Sequence, residues 1–258
     1  MIKTGMIKKH LITCSVMFVL VIISRFAISD SAVSKPINIA TEHSTNFLFT
    51  KNRPSTDYNF ANEALPVNDA RVNTKLRHSI KQHNFLSIQS NVLQFKAQKL
   101  FPIIEPILRM YGIPEDFKYI PLVESGLCSG TSPKGAKGIW QFMPGTARTY
   151  GLKVGHGVDE RLNVRKSTIA ACKYIKELYG EFNSWTLAAA AYNNGEIKLQ
   201  RQITKQNEDN YFRMHLNRET GVYVYNLIAM KEVISKPVSY GFKPIYAHTQ
   251  TSQMLAYN

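Results

Sequence analysis

Apolar residues return at intervals of three and four between about residue 67 and residue 236, and no stretch before Pro237 alternates strictly between apolar and polar. That period belongs to the α-helix, so the pattern predicts an all-α domain. Over residues 67–111, Leu86, Val92, Leu93, Phe95 and Leu100 recur at irregular helical spacings, and Pro102 and Pro106 punctuate a further turn before Gly112. These helices are expected to brace the back of the domain. In the next stretch Pro114 suits a first helical position, and the acidic pair Glu115-Asp116 suits a helix N-terminus. Phe117 and Ile120 mark an inward face. Glu124 continues it one turn later, where a leucine would be expected, and Gly126 stops the helix. Asn163 is placed to cap a helix with the apolar stripe Ala171, Cys172, Ile175, Leu178, Tyr179 and Phe182, with Gly180 near its end. Ser184 starts a helix with four consecutive alanines, 188–191, which let backbones approach closely and predict a central position. Tyr192 and Asn193 stand at its end before Gly195, and an amphipathic helix runs on to about Ile203. The last long helix starts at Asn217–Gly221, turns Thr220, Tyr223, Val224, Leu227 and Ile228 inward, and ends at Pro237.

The two ends of the chain lack this period. Lys3, Lys8 and Lys9 precede an apolar run from Leu11 to Ile23, and Ala27-Ile28-Ser29 offers a small-x-small cleavage site. The run is shorter than the roughly 20 residues of a membrane-spanning helix. Residues 1–29 therefore read as a secretory signal peptide, with an uncleaved N-terminal anchor as the alternative. Cys14 lies inside the run and follows Thr13, a poor lipoprotein signal. Residues 30–66, rich in Ser, Thr and Asn, read as a tether. The tail, 237–258, carries Tyr240, Phe242, Tyr246 and Tyr257 and suits a hairpin or an extended strap.

Charge narrows the partners. The chain carries a net +14, and loss of residues 1–29 removes four basic residues and no acid, leaving +10. Such an excess suits an anionic polymer: nucleic acid, a membrane surface or the bacterial cell wall. Export argues against nucleic acid. Cys128 and Cys172 could pair in an oxidising compartment, though Cys172 on an apolar face equally suits a small buried hydrophobe. His78 and His83, five apart, do not have the spacing of two metal ligands on one helix face.

The chemistry concentrates on Glu124. A carboxyl with apolar neighbours has its charged form disfavoured and stays protonated, which suits a general acid. A glycine-dense loop, 125–138, follows and leads into Ile139-Trp-Gln-Phe-Met143, where Gln141 is the single polar side chain. A polar group in that setting needs a hydrogen-bond partner in the protein or in a ligand. No second acid stands out beside Glu124, since Glu115 and Asp116 lie two turns back.

Four segments now stand in one order: Glu124-Ser125, Gly138-Ile-Trp-Gln141, Ala191-Tyr-Asn-Asn-Gly195, and Glu219-Thr220 with Tyr223. Over about 67–236 the chain resembles the lytic transglycosylases with the goose-type lysozyme (SLT) fold, with a particular likeness to the membrane-bound lytic murein transglycosylase D branch. The resemblance implies a lysozyme-like all-α domain that cleaves the β-1,4 bond between N-acetylmuramic acid and N-acetylglucosamine without water, leaving 1,6-anhydro-muramic acid ends. It makes Glu124 the acid and base, with no metal and no cofactor. Ser125 would steady the glutamate or the substrate, and Gln141 would bond to sugar. Tyr192 and Asn193 would support the acetamido group, and Glu219 and Tyr223 would form part of the cleft wall. Ile197 departs from the pattern, standing where the family often has a second glycine. The implied partner is the peptidoglycan glycan strand, met by a monomer in the periplasm or cell envelope, with membrane association through the N-terminus. A hydrolytic muramidase on the same fold and an inactive wall-binding protein are the alternatives.

Overall fold

The computed structural model describes residues 58–88 and 90–243. The signal or anchor assigned to 1–29, most of the tether and the end of the tail lie outside the described residues.

The all-α expectation is met. Nine α-helices carry the described residues, joined by short 3-10 turns and two hairpins of two-residue strands, β1 (Asn59–Phe60) with β2 (Glu63–Ala64) and β3 (Val154–Gly155) with β4 (Val158–Asp159). The chain is organised around α9 (Thr220–Ser235), which is apolar on almost every side and is accordingly buried on every side. Against it pack α1 (Ala70–His83), α4 (Ile120–Ser125) and α7 (Trp185–Asn194). Farther out, α6 (Val164–Phe182) bridges α7 and α3 (Val92–Met110). The alanines of α7 are fully buried, and their small side chains admit α6 and α9 on either side.

Several boundaries differ from the sequence reading. The tether ends sooner, because residues 58–66 fold back as the β1–β2 hairpin and plug the core with Phe60 and Leu65. Glu63 in that hairpin accepts hydrogen bonds from the backbone N–H groups of Trp185 and Thr186 and from the Ser184 hydroxyl, capping α7 from a distant segment. Pro102 and Pro106 do not punctuate a turn; both lie inside α3. Each missing helical hydrogen bond costs about 3 kcal/mol. Against that, Ala97, Phe101, Ile104, Ile107 and Leu108 form a continuous buried face through both prolines, worth about 1.5–3 kcal/mol per large side chain. That face, not Leu86, Val92 and Phe95, faces the core: Leu86 is 82% exposed, Val92 51% and Phe95 56%. Leu93 and Leu100 do pack against the core.

The helix expected from Pro114 is a 3-10 turn, Glu115–Tyr119, that only then becomes α4. α6 is capped by Asn163 as expected, but it closes on Asn183 in the left-handed conformation, beyond Gly180. α5 (Pro144–Thr149) and α8 (Glu196–Gln206) complete the framework, with α2 (Phe85–Ile88) following α1. The described part of the tail is a 3-10 turn, Pro237–Tyr240, after which Phe242 lies edge-on against Phe85. The two cysteines are not bridged: Cys172 is buried within α6, whereas the exposed Cys128 thiol accepts from Lys96 Nζ at 2.7 Å.

Candidate active site

A six-residue helix cannot hold itself, and α4 is fixed from outside. Ile120, Pro121 and Leu122 anchor its first turn in the core. Its end is a left-handed Gly126, whose N–H donates to Leu122, followed by Leu127, whose N–H reaches back to Pro121. Leu93 of α3 packs on Gly126, and Lys96 Nζ donates to the Gly126 carbonyl. Ser125 ties the last turn across the site, its hydroxyl bridging the carbonyls of Pro121 and Ile139 at 3.0 and 2.9 Å. The half-buried Glu124 carboxyl on this turn is thus held on a rigid ledge.

Burial pushes the Glu124 carboxyl up to about 7. The Tyr223 hydroxyl, projecting from α9, donates to Oε1 at 2.7 Å and favours the charged form, which opposes the shift. The negative charge of Glu219 adds to it. Glu219 is itself raised by burial, against the pull of an Asn193 hydrogen bond and of the Lys134 and Lys198 charges. This corrects the sequence reading, in which Glu124 stood alone: a second carboxylate lies within electrostatic reach of it. No spacing in the sequence could reveal that, because Glu124, on α4, and Glu219, just before α9, lie far apart in the chain and are brought together by the packing of α4 on α9.

Asn193, at the end of α7, is buried, and both ends of its amide are hydrogen-bonded. Its amide donates to Glu219 Oε1 at 3.0 Å, and its oxygen accepts from the Thr220 hydroxyl at 3.1 Å. Tyr192 faces the other way. Its hydroxyl donates to the Trp140 carbonyl at 2.7 Å, and its ring packs among Trp140, Phe142 and Tyr174. This hydroxyl thus ties α7 to the backbone of the loop. Gln141 Nε2 likewise donates within its loop, to the carbonyls of Gly138 at 2.7 Å and Gly130 at 3.3 Å. The structure brings Glu124, Tyr223, Glu219 and Asn193 together at the converging ends of α4, α7 and α9. Ser125, Gln141 and Tyr192 hold the wall beside them.

That wall depends on residues the sequence reading did not single out. The buried Arg161 guanidinium makes a paired contact with Asp159 at 2.8 Å to each oxygen, and donates to the carbonyls of Gly135 and Phe142. The guanidinium holds the Asp159 carboxyl well below the usual carboxylate range. Trp140 is fixed by its indole N–H donating to Thr168 at 3.0 Å. Gly138 passes so near the Arg161 carbonyl that a Cβ there would lie 2.0 Å from its oxygen. The glycine at 138 thus serves the close approach of another chain segment. Among the described residues no three His, Cys, Asp or Glu side chains are grouped to hold a metal ion, and no helix is long and apolar enough to cross a membrane.

Comparison with known proteins finds similarity over part of the chain. Residues 102–214 match the Transglycosylase SLT domain family, a span that takes in Glu124, Gln141, Tyr192 and Asn193. Over 185 residues the chain is 28% identical to membrane-bound lytic murein transglycosylase D of Escherichia coli (strain K12), covering 69% of this chain and 40% of that protein. Over 70 residues it is 43% identical to peptidoglycan transglycosylase gp16 of Escherichia phage T7, covering 26% of this chain and 5% of the phage protein. Among solved structures, the lytic transglycosylase Slt of Pseudomonas aeruginosa is 20% identical, covers 67% of this chain and 31% of its own, and has a TM-score of 0.42. The chain spans about 40% of the length of the curated transglycosylase D it matches. The part of the chain that matches the Transglycosylase SLT domain family is thus residues 102–214.

Proposed function

We propose that this chain is a peptidoglycan lytic transglycosylase, cutting the β-1,4 bond between N-acetylmuramic acid and N-acetylglucosamine and leaving a 1,6-anhydro ring on the muramic acid. The observation that carries this reading is the Glu124 carboxyl, half-buried, pushed up to about 7 and held by Tyr223. Such a group is largely protonated just below neutral pH and can also work as a base, the property required of one residue that serves as both. Glu124 gives its proton to the glycosidic oxygen, and N-acetylglucosamine leaves with it. The resulting carboxylate accepts the proton of the muramic acid C6 hydroxyl as that oxygen bonds to C1. Glu124 ends protonated, and no water is consumed. The acceptor is already part of the substrate, so closure has the advantage of an intramolecular reaction.

The other side chains take roles from their contacts. Tyr223 stabilises the carboxylate between the two proton transfers, and Asn193 orients Glu219. Ser125, Gln141 and Tyr192 are positioning residues that hold the cleft wall through backbone carbonyls. The partner is the glycan strand of the bacterial envelope, reached by export with residues 1–29 as signal or anchor, and the chain acts as a monomer. The name of the transglycosylase D relative, membrane-bound and acting on murein, supports this setting.

A second reading, hydrolysis by a muramidase, draws support from Glu219, because two carboxylates can divide the roles of acid and base. Against it, the Asn193 amide already occupies one oxygen of Glu219. Glu124→Gln separates both enzymatic readings from a protein that only binds wall. The amide keeps the shape and the Tyr223 contact but has no acidic proton. Release of soluble fragments from purified cell wall should fall by about a hundredfold or more with melting preserved. Activity retained above about a tenth of wild type would overturn the role of Glu124.

A further inference from the structure

The site continues into a groove that the chemistry above leaves unused. A cavity of about 270 Å³ is lined by Asn194, Lys198, Arg201, Gln202, Leu216 and Asn217. Its two walls are extensions of the site itself. Asn194 follows Asn193 at the end of α7, and Asn217, just before α9, accepts from the Thr220 N–H at 2.9 Å. The walls meet where the Asn217 amide donates to Asn194 Oδ1 at 3.3 Å. Lys198 and Arg201, three residues apart on α8, face the groove together. Lys198 is half-buried and Arg201 exposed, and among the described residues neither makes a salt bridge. The Lys198 charge also reaches Glu219, in keeping with a groove that borders the candidate site through Asn194 and Asn217.

A solvated cation on a helix is ordinary. Two of them lining one groove, with side-chain amides beside them, no acid in the groove's lining and no salt bridge to either among the described residues, make a seat for a carboxylate. The peptidoglycan strand brings carboxylates to this place, because its peptide stems project from the muramic acid whose bond is broken. We propose that this groove is a subsite for the carboxylates of the peptide stem, with Lys198 and Arg201 as the residues that bind them. The inference rests on the reading that the substrate is peptidoglycan. It makes the enzyme a reader of stems as well as of sugars.

Carboxylate could reach the groove from two sources, the stem or the lactyl group of muramic acid once the stem is removed. The test therefore uses three substrates: intact strands, strands whose stem carboxylates are converted to amides with carbodiimide and ammonia, and strands stripped by an amidase. Three proteins are compared: wild type, the double variant Lys198→Gln/Arg201→Gln, and Lys173→Gln/Lys176→Gln, which removes two exposed charges from α6. Amidation should lower kcat/KM of wild type and of the α6 control about threefold to tenfold, chiefly through KM, and should leave the double variant nearly indifferent. A double variant as sensitive to amidation as wild type, or a wild type indifferent to it, would overturn the subsite. So would an equal loss by the double variant on stripped and on intact strands, which would assign the groove to the lactyl group or the sugar backbone. If wild type cleaves none of the three, the transglycosylase reading fails by itself. Co-sedimentation with the same walls then decides the subsite, which stands only if amidation weakens wild-type binding and not that of the double variant.

Discussion

Glu124 receives opposite pushes from its two closest partners. The Tyr223 hydroxyl stabilises its carboxylate, and the Glu219 charge destabilises it. Removing the Glu219 charge with Glu219→Gln should therefore lower the Glu124 pKa, so the alkaline limb of the pH–rate profile moves to lower pH. Glutamine can still accept from Asn193, so melting should change little. Tyr223→Phe should move the limb the other way and lower kcat/KM about tenfold to a hundredfold, since it removes a hydrogen bond to a charged group. Limbs that do not move in opposite directions would contradict the coupling of these residues. Tyr192 is different in kind. Its hydroxyl meets the Trp140 carbonyl 52 residues away, so Tyr192→Phe should cost about 1–3 kcal/mol of stability, measured by denaturant unfolding. Unchanged stability with lost turnover would return its hydroxyl to the substrate. Glu124 was legible in the sequence because a carboxyl interrupted an apolar stripe just before a helix-stopping glycine. The hydroxyl of Tyr192 was not, because its partner is a backbone atom, and every residue supplies one.

At the scale of elements, the candidate site depends on a short helix and a loop that other parts of the chain hold in place. Gly138 is the tightest point of that loop. Both Gly138 and Gly135 have left-handed backbones, with φ of +79° and +85°, but only Gly138 has backbone atoms where a Cβ would go. Gly135→Ala should cost about 1 kcal/mol, the conformational penalty alone. Gly138→Ala should cost about 4 kcal/mol or more, because the Arg161 backbone must move and the Gln141 turn with it. Equal losses in thermal unfolding would show that the close approach has no structural weight. Helix identities along this part of the chain were readable from apolar spacing and from caps such as Asn163 and Ser184. Their ends were less so. α6 runs past Gly180, near its end, and closes on Asn183, because asparagine also tolerates the left-handed conformation. Pro102 and Pro106 stayed within α3 because the buried face on either side of them outweighs two lost hydrogen bonds. The Arg161 clamp left no trace in local pattern, since a lone basic residue in a loop is usually solvated.

Across the whole molecule, the period of apolar residues was enough for an all-α fold, and the burial of α9 on every side explains why that helix shows no polar face. Burial at long range escaped the same reading. Phe60 and Leu65 plug the core from a stretch whose composition suggests a tether, and Glu63 in that stretch caps α7. Glu124 on α4 and Glu219 at the start of α9 converge in the same way, through packing that no local window contains. The central claim spans all of these levels. The proposal is that a packed helical frame presents one protonated carboxyl to a glycan, and that the sugar's own C6 hydroxyl completes the reaction in place of water. The most direct test is digestion of purified peptidoglycan in water enriched in the heavy oxygen isotope, followed by mass analysis of the released muropeptides. The account predicts 1,6-anhydro-muramic ends, lighter by one water than reducing ends and free of the label. Reducing ends that carry the heavy isotope would contradict it, and would identify a hydrolase in which Glu219 directs the attacking water.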